Sequence, residues 1–394
     1  MRAHDHHRML HTPFHPRVAQ ACELNRWDEW KGYTTPTAYE SVEREYFAVR
    51  NSCGVFDLTP MTKYRIRGSD AGDYLDRLLT RNLSKLQIGQ VMYVCWCDDR
   101  GQLLDDGTLF RLDENEYRLC SQERHLEWLI WSAMGFDVEI NDETEDVAAL
   151  AVQGPTSFAV LKKLGLAGVE VLKPYRFADF QFMGQTMLVS RTGFTGDLGY
   201  ELWIAPEQAL RLWDALFDAG RHYGIRAFGT EALEVARIEA GVIQAGVDFV
   251  PAQDAIRTDR TRSPYEVGLG WLVDLKKHAF NGRRALMAER QQGSRFNLVK
   301  LIIEGNKPAN NSFVFDAKGR HIGTVTSACW SPTTKSNLAL ASLNAPWGKA
   351  GDEMVAEIYY LSELKWERVM ARCSITETSF FDPKRRHTTP PGEF

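Results

Sequence analysis

Little in this sequence points to a metal, a nucleic acid or a membrane. Its seven cysteines are scattered as Cys22, Cys53, Cys95, Cys97, Cys120, Cys329 and Cys373, with no CxxC pair among them. Neither a zinc site nor a disulfide framework is therefore expected, and the thiols read as reduced, buried, small apolar side chains. Cys95 and Cys97 would share one face of a strand, but a metal there needs partners the sequence does not supply. No apolar run approaches the ~20 residues that cross a bilayer. The net charge is -5, so no global basic field favours nucleic acid. The opening residues, Met1 to Arg8, lack an apolar signal core, and a cytoplasmic protein is the expectation. No Ser-His-Asp or nucleophilic-cysteine signature occurs. No strand–GxGxxG–helix fingerprint occurs, nor a Gly-Lys-Ser/Thr phosphate loop. No internal repeat stands out.

What is present is a chain of 394 residues, enough for two or three domains. Hydrophobic content of 44% and charged content of 25% are ordinary for a globular protein. Histidines gather at the start (His4, His6, His7, His11, His15), and residues 1–19 read as a mobile polar tail. Up to about residue 245, strands and helices alternate irregularly. Gln90–Cys97 and Gly107–Leu112 read as strands around a turn at Asp98-Asp-Arg-Gly101. Ala148–Val152 reads as a buried strand running into a helix after Pro155. Residues 247–266 are polar, charged and broken by prolines, which suggests a long loop or a segment crossing between domains. Beyond Arg284 the chain turns strand-rich, and a C-terminal β-barrel or sandwich is expected.

The most informative stretch is Arg191-Thr-Gly-Phe-Thr-Gly-Asp-Leu-Gly-Tyr-Glu201. Glycines at 193, 196 and 199 let the backbone turn tightly and approach a ligand closely. Strand-like runs flank the loop. On local sequence, an empty hairpin and a ligand grip stay equally open. Asp105 and Asp106 follow two leucines and precede a strand, so at least one is expected to point inward. Paired acids can bind Mg²⁺ or Ca²⁺, but the EF-hand pattern is absent, and a structural role is the simpler local account. Arg237 lies on a helix flank, either as a surface salt bridge or as a cation lining a cleft and forked toward a carboxylate. Trp330 is either a barrel cap or a pocket wall.

Six motifs in order carry a resemblance: Gly54–Met61, Leu104–Asp106, Ala151–Pro155, Arg191–Glu201, Arg237–Gly241 and Thr326–Pro332. Together they resemble the aminomethyltransferase family, that of the glycine cleavage T-protein and its demethylase relatives, over roughly residues 45–380. The resemblance implies an α+β fold: a three-domain cloverleaf with a C-terminal β-barrel domain and a central cavity. Domain 1 would be split, 20–60 with 148–250, and would bind folate. Domain 2 would cover 61–147 and the barrel 270–385.

It also implies tetrahydrofolate as acceptor of a one-carbon unit, with no metal. By position, Asp105 matches the family's catalytic aspartate. Glu201 matches the acid that grips the pterin, Phe194 replaces a pterin-contacting tyrosine, and Arg237 matches the site arginine. Tyr93, Met61 and Trp330 match cavity-wall positions. The family's C-terminal arginine has no clean match, although Lys384 and Arg385 lie in that region. Departures after Gly241 favour a freestanding demethylase of a small N-, S- or O-methylated donor. The alternatives are the T-protein itself, with a lipoyl protein as partner, and a folate-binding regulatory protein without turnover.

Overall fold

The structure is a computed structural model, and it describes residues 9–390. It divides into two compact units. The first is built on Asp142–Ala236 with the chain up to Lys63 and from Pro383. The second comprises Tyr64–Asn141 and Arg237–Asp382.

The first unit is organised by a six-stranded sheet in the order Phe177–Phe182, Gln185–Ser190, Gly199–Ile204, Ala148–Gln153, Cys53–Asp57, Ile225–Ala227. Two of its inner strands, Ala148–Gln153 and Cys53–Asp57, are buried along their whole length. This is why they read as unbroken apolar runs rather than as alternation. One face carries Val55, Leu150, Val152 and Leu202 against Phe158, Leu212, Trp213 and Leu216. The other carries Phe56 and Ala151 against Tyr46, Val49, Phe228, Ala232 and Ala236. The helix Val42–Asn51 starts at a carboxylate nest. Oε1 of Glu45 accepts the backbone N–H groups of Tyr39 (2.7 Å), Glu40 (2.9 Å) and Ser41 (3.2 Å), and Oε2 accepts that of Gly229 (2.8 Å). These donors offset the cost of a fully buried charge.

The expectation of a tail over 1–19 needs correction. Residues 1–8, with His4, His6 and His7, lie outside the described residues. Residues 9–19 are not a tail: His15–Ala21 is a helix, and Phe14 and Val18 join the core of the first unit. Two apolar side chains four residues apart share a helix face and outweigh the polar His15 and Arg17 between them.

The second unit contains a five-stranded sheet in the order Val91–Cys97, Leu103–Asp113, Glu116–Ser121, Thr62–Arg67, Glu139–Asp142. The helix Ala71–Leu78 packs its Tyr74, Leu75 and Leu78 into the same cluster as Trp96, Leu109 and Leu119. The expected barrel is present and closed: Phe296–Ile303, Ser336–Asn344, His321–Ser331, Phe313–Asp316, Met354–Ser362, Lys365–Thr376. Residues 247–266 do not cross between units. Phe249 packs with Cys95, Cys97 and Leu103. The backbone of Leu103 donates to Arg262 O (2.8 Å) and accepts from Ala252 N (2.7 Å). Residues 237–250, expected in domain 1, belong with this unit for the same reason: Ile243, Ala245 and Phe249 are its core. Among the described residues, no helix is long and apolar enough to cross a membrane.

Phe14→Ala tests the first correction. Truncating a buried aromatic is expected to cost about 3 kcal/mol, read from the denaturation midpoint. A free tail would leave the midpoint unchanged.

Candidate functional site

Two clusters of titratable groups stand out, one in each unit. In the first unit, the glycine loop is filled from within by Gln153, at the end of a central strand. The amide of Gln153 donates to the carbonyls of Thr192 and Tyr200 (3.3 Å each) and accepts from the Thr195 hydroxyl (2.9 Å). A Cβ on Gly193 or Gly199 would lie 2.1 or 2.2 Å from Oε1 of Gln153, so neither position admits a side chain. Gly196, at φ +73°, supplies the left-handed turn between them.

Glu201 is presented at the exit of this loop, on the strand Gly199–Ile204, where it pairs with Ser190 on the neighbouring strand. Its Oε2 accepts from the hydroxyls of Thr192 (2.5 Å) and Ser190 (3.4 Å). Its Oε1 accepts no hydrogen bond among the described residues. Burial pushes the carboxyl up to about 7, against the pull of the two hydroxyls. Phe194 is half-buried in the loop, beside the exposed Gly193. Met61, also in this unit, is half-buried, and its carbonyl is taken by the Lys63 ammonium at 2.9 Å.

In the second unit, Asp105 and Asp106 point to opposite sides of the strand Leu103–Asp113, as pleating requires. Asp105 is wholly buried and fully engaged. Its Oδ1 accepts from Asp106 N (2.8 Å), and its Oδ2 accepts from Glu123 N (2.8 Å) and faces Nε2 of His125 (3.1 Å). The other ring nitrogen of His125 faces Gln253 Oε1 at 3.0 Å. The Asp106 side chain accepts from the Tyr93 hydroxyl at 2.6 Å. Burial raises the Asp106 carboxyl to about 7, helped by the charge of Asp105 and, to a lesser degree, of Asp248. Burial and the neighbouring Asp106 push the Tyr93 phenol well above its usual range.

Tyr93 also stands 6.0 Å, ring to ring, from Trp271, which is 63% exposed and has the Arg81 guanidinium over its ring at 5.4 Å. Trp271 was not singled out in the sequence, where Gly268-Leu-Gly-Trp271 resembles any turn. Trp96 is completely buried and meets His125 edge-on at 5.4 Å.

Arg237 is neither a surface salt bridge nor a cation open to a cleft. It is fully buried and donates to Asp248 Oδ2 (2.6 Å), Ser327 Oγ (2.6 Å) and Val242 O (3.1 Å). Asp248 is itself saturated by Gln244 N and the hydroxyls of Thr326 and Ser327. A buried guanidinium persists only with such a full set of acceptors. Trp330 is 39% exposed on a barrel strand and takes part in neither set of hydrogen bonds. Asp98 is a turn former, its carboxylate accepting from the N–H groups of Arg100 and Gln102 (2.9 Å each). Among the described residues, no group of three or more metal-ligating side chains is gathered closely enough to hold an ion.

A family model described as the GCVT N-terminal domain matches residues 10–277, and one described as the glycine cleavage T-protein C-terminal barrel domain matches residues 297–382. The aminomethyltransferase of Caldanaerobacter subterraneus is 33% identical over 331 residues, 83% of this chain and 86% of that protein. The trimethylamine-oxide aldolase of Ruegeria pomeroyi is 33% identical over 389 residues, 95% of this chain but 47% of that longer protein. Among solved structures, the glycine cleavage system aminomethyltransferase T from Bartonella henselae superposes with a TM-score of 0.83 at 26% identity, over 95% of this chain and 98% of that one.

Two tests follow from the first cluster. Gly199→Ala and Gln153→Ala are each expected to destabilise, and their effects should fall short of additive in a double-mutant cycle, because the clash vanishes with the amide. Strict additivity would disprove the filled loop. A carboxyl raised from 4.5 to about 7 holds its proton longer in the folded chain than in the unfolded one. Stability is therefore lost as pH rises from 4.5 through 7 and stays lost above. Glu201→Gln should melt higher than the parent at pH 8 and no differently at pH 4.

Proposed function

The chain belongs to the glycine cleavage T-protein family and is a one-carbon transferase, and we propose that it moves a methyl group from a small N-methylated donor to tetrahydrofolate. The observation that carries this reading is Glu201 in the first unit, a carboxyl raised to about 7 by burial and tethered through Oε2 by Thr192. In the second unit, taken by itself, Asp106 is raised to about 7 as well and accepts from the Tyr93 hydroxyl.

A pterin presents a ring N–H beside an exocyclic amino group. Glu201, with Oε1 free and Oε2 tethered by Thr192, accepts both donors and fixes the ring in its plane. Phe194 flanks that ring. The acceptor nitrogen then needs alignment behind the methyl carbon, with the donor's nitrogen as leaving group. As the new C–N bond forms, the old one breaks, and the amine departs with the electron pair. The proton on the folate nitrogen passes to Asp106.

In this reading Asp106, not Asp105, is the catalytic carboxylate. A group near 7 can take up and release a proton at neutral pH. Asp105, filled by Glu123, His125 and Asp106 itself, serves to place the strand and to keep negative charge beside Asp106. Tyr93 orients Asp106. Trp271, exposed beside Tyr93, offers an aromatic face toward a methylated ammonium. The N-methylated class is favoured over S- and O-methylated donors because the match to a trimethylamine-oxide aldolase runs over nearly the whole chain.

The second reading is an aminomethyltransferase proper, which would require a lipoyl-bearing partner. The aminomethyltransferase of Caldanaerobacter subterraneus, matched over most of both chains, supports it.

Incubating the chain with tetrahydrofolate and tri- or tetramethylated amines should yield 5-methyl-tetrahydrofolate, read by chromatography. Asp106→Asn should lower the rate ~100-fold or more, the usual range for a lost proton acceptor. Glu201→Gln should weaken tetrahydrofolate binding by about 2 kcal/mol. Methylene-tetrahydrofolate formed only from an aminomethyl-lipoyl protein would establish the second reading. A rate in Asp106→Asn equal to the parent's would remove Asp106 from the chemistry.

A further inference from the structure

A loop with three glycines in seven residues has much backbone freedom to lose, and a ligand that had to order it would bind weakly. Gln153 fills this loop from inside. Its outer edge is held from the far end of the chain.

Asp197, in the middle of the loop, has a side chain with no exposed surface. Its own backbone neighbour, Leu198 N, donates to Oδ1 at 2.8 Å. Arg50 approaches Oδ2 only to 3.5 Å and spends its stronger bonds on the carbonyls of Thr195 (2.9 Å) and Ala236 (3.0 Å). The main partner is Arg385, in the short 3-10 turn Lys384–Arg386. Its Nε and one terminal nitrogen fork onto the two oxygens of Asp197 at 2.6 and 2.7 Å, and it also donates to Arg50 O at 3.1 Å. The tie is reciprocal. Arg191, at the start of the loop, donates to the carbonyls of Thr388 (2.5 Å), Arg385 and Arg386 (3.3 Å each), and to that of Leu172 (3.0 Å). An arginine of the loop thus grips the C-terminal backbone, while an arginine of the C-terminal turn grips a carboxylate of the loop. A forked guanidinium fixes direction as well as distance, which an ammonium cannot do.

We propose that Arg385 is a positioning residue for ligand binding at Glu201, acting through Asp197 to hold the glycine loop in its binding shape without touching the ligand. The proposal rests on the reading of Glu201 as the pterin-gripping acid. It gives the basic C-terminal turn a support role rather than a place in the pocket wall. The ordering of residues 193–199 is then supplied before tetrahydrofolate arrives, and the C-terminal turn becomes a determinant of affinity rather than of turnover.

The test compares full-length Arg385→Met, Arg385→Lys and Glu201→Gln with the parent, measuring tetrahydrofolate binding by quenching of tryptophan fluorescence, KM and kcat, melting temperature and amide exchange over 191–201. Arg385→Met should raise the dissociation constant and KM for tetrahydrofolate roughly ten-fold, the scale of a small misplacement of a gripping group, and leave kcat near the parent's. Exchange over 193–199 should accelerate. Arg385→Lys should recover part of the affinity but not all, because charge returns without the fork. If Glu201→Gln weakens binding while Arg385→Met and Arg385→Lys bind as the parent does, the strap is overturned and the site stands. If Glu201→Gln binds as the parent does, the site reading fails and the strap falls with it. Should Arg385→Met fail to fold, Arg385→Lys decides alone: full parental affinity overturns the proposal, and partial loss with faster loop exchange supports it.

Discussion

Two carboxyl groups next to each other in a strand cannot both be buried as free anions. The structure settles which of Asp105 and Asp106 is stabilised and which is left poised. Asp105 collects two backbone N–H donors and faces a histidine ring nitrogen. Asp106 has one phenol and a negative neighbour. That asymmetry comes from the pleat: the two side chains leave the backbone in opposite directions and meet different surroundings. The chemistry assigned to the second unit depends on it. A strand register displaced by one residue would exchange their environments and make Asp105 the poised acid instead.

Glu201 is built by a related economy. One oxygen is tethered by hydroxyls, which fixes the direction of the carboxylate, while the other accepts nothing among the described residues. Burial without a counter-charge leaves a raised acidity constant and a site less stable than an amide would make it. Such a cost is typical of groups kept for binding or catalysis rather than for folding. The surrounding interactions lower the entropy of the loop rather than neutralise the acid. Gln153 occupies the loop's interior, Arg50 ties its carbonyls, and the cross-tie of Arg191 and Arg385 closes its edge. By contrast, Arg237 and Asp248 bond to each other and to Ser327, and Asp248 also accepts from Thr326, all within the second unit.

The sequence made some of this legible and hid the rest for identifiable reasons. Strands with a strong period or an unbroken apolar run, such as Ala148–Val152 and Val91–Cys97, were readable, as was the strand-rich C-terminal third that closes into the barrel. The glycine loop was recognisable as unusual. The reason for Gly193 and Gly199 was not, because Gln153 lies some forty residues upstream and meets them only after the sheet has formed. Alternation says that Asp105 and Asp106 face opposite ways, but choosing between them needs the positions of Glu123, His125 and Tyr93. Arg237 looked like a flank residue because local sequence does not announce a buried acceptor at Asp248 or hydroxyls at Thr326 and Ser327. The histidines before residue 16 suggested a tail, since polarity drew attention away from Phe14 and Val18. The polar composition of 247–266 suggested a linker, although Phe249 alone was enough to anchor it.

Asp106 is the residue on which the account turns, and its proton can be observed directly. Infrared titration of full-length Glu201→Gln, which removes the other carboxyl raised to about 7, and of variants made in that background, following the C=O stretch of a protonated carboxylic acid, should show a group that loses its proton near pH 7. That band should be missing in Asp106→Asn and present in Asp105→Asn. A band that survives in Asp106→Asn and disappears in Asp105→Asn would contradict the assignment and return the chemistry to Asp105.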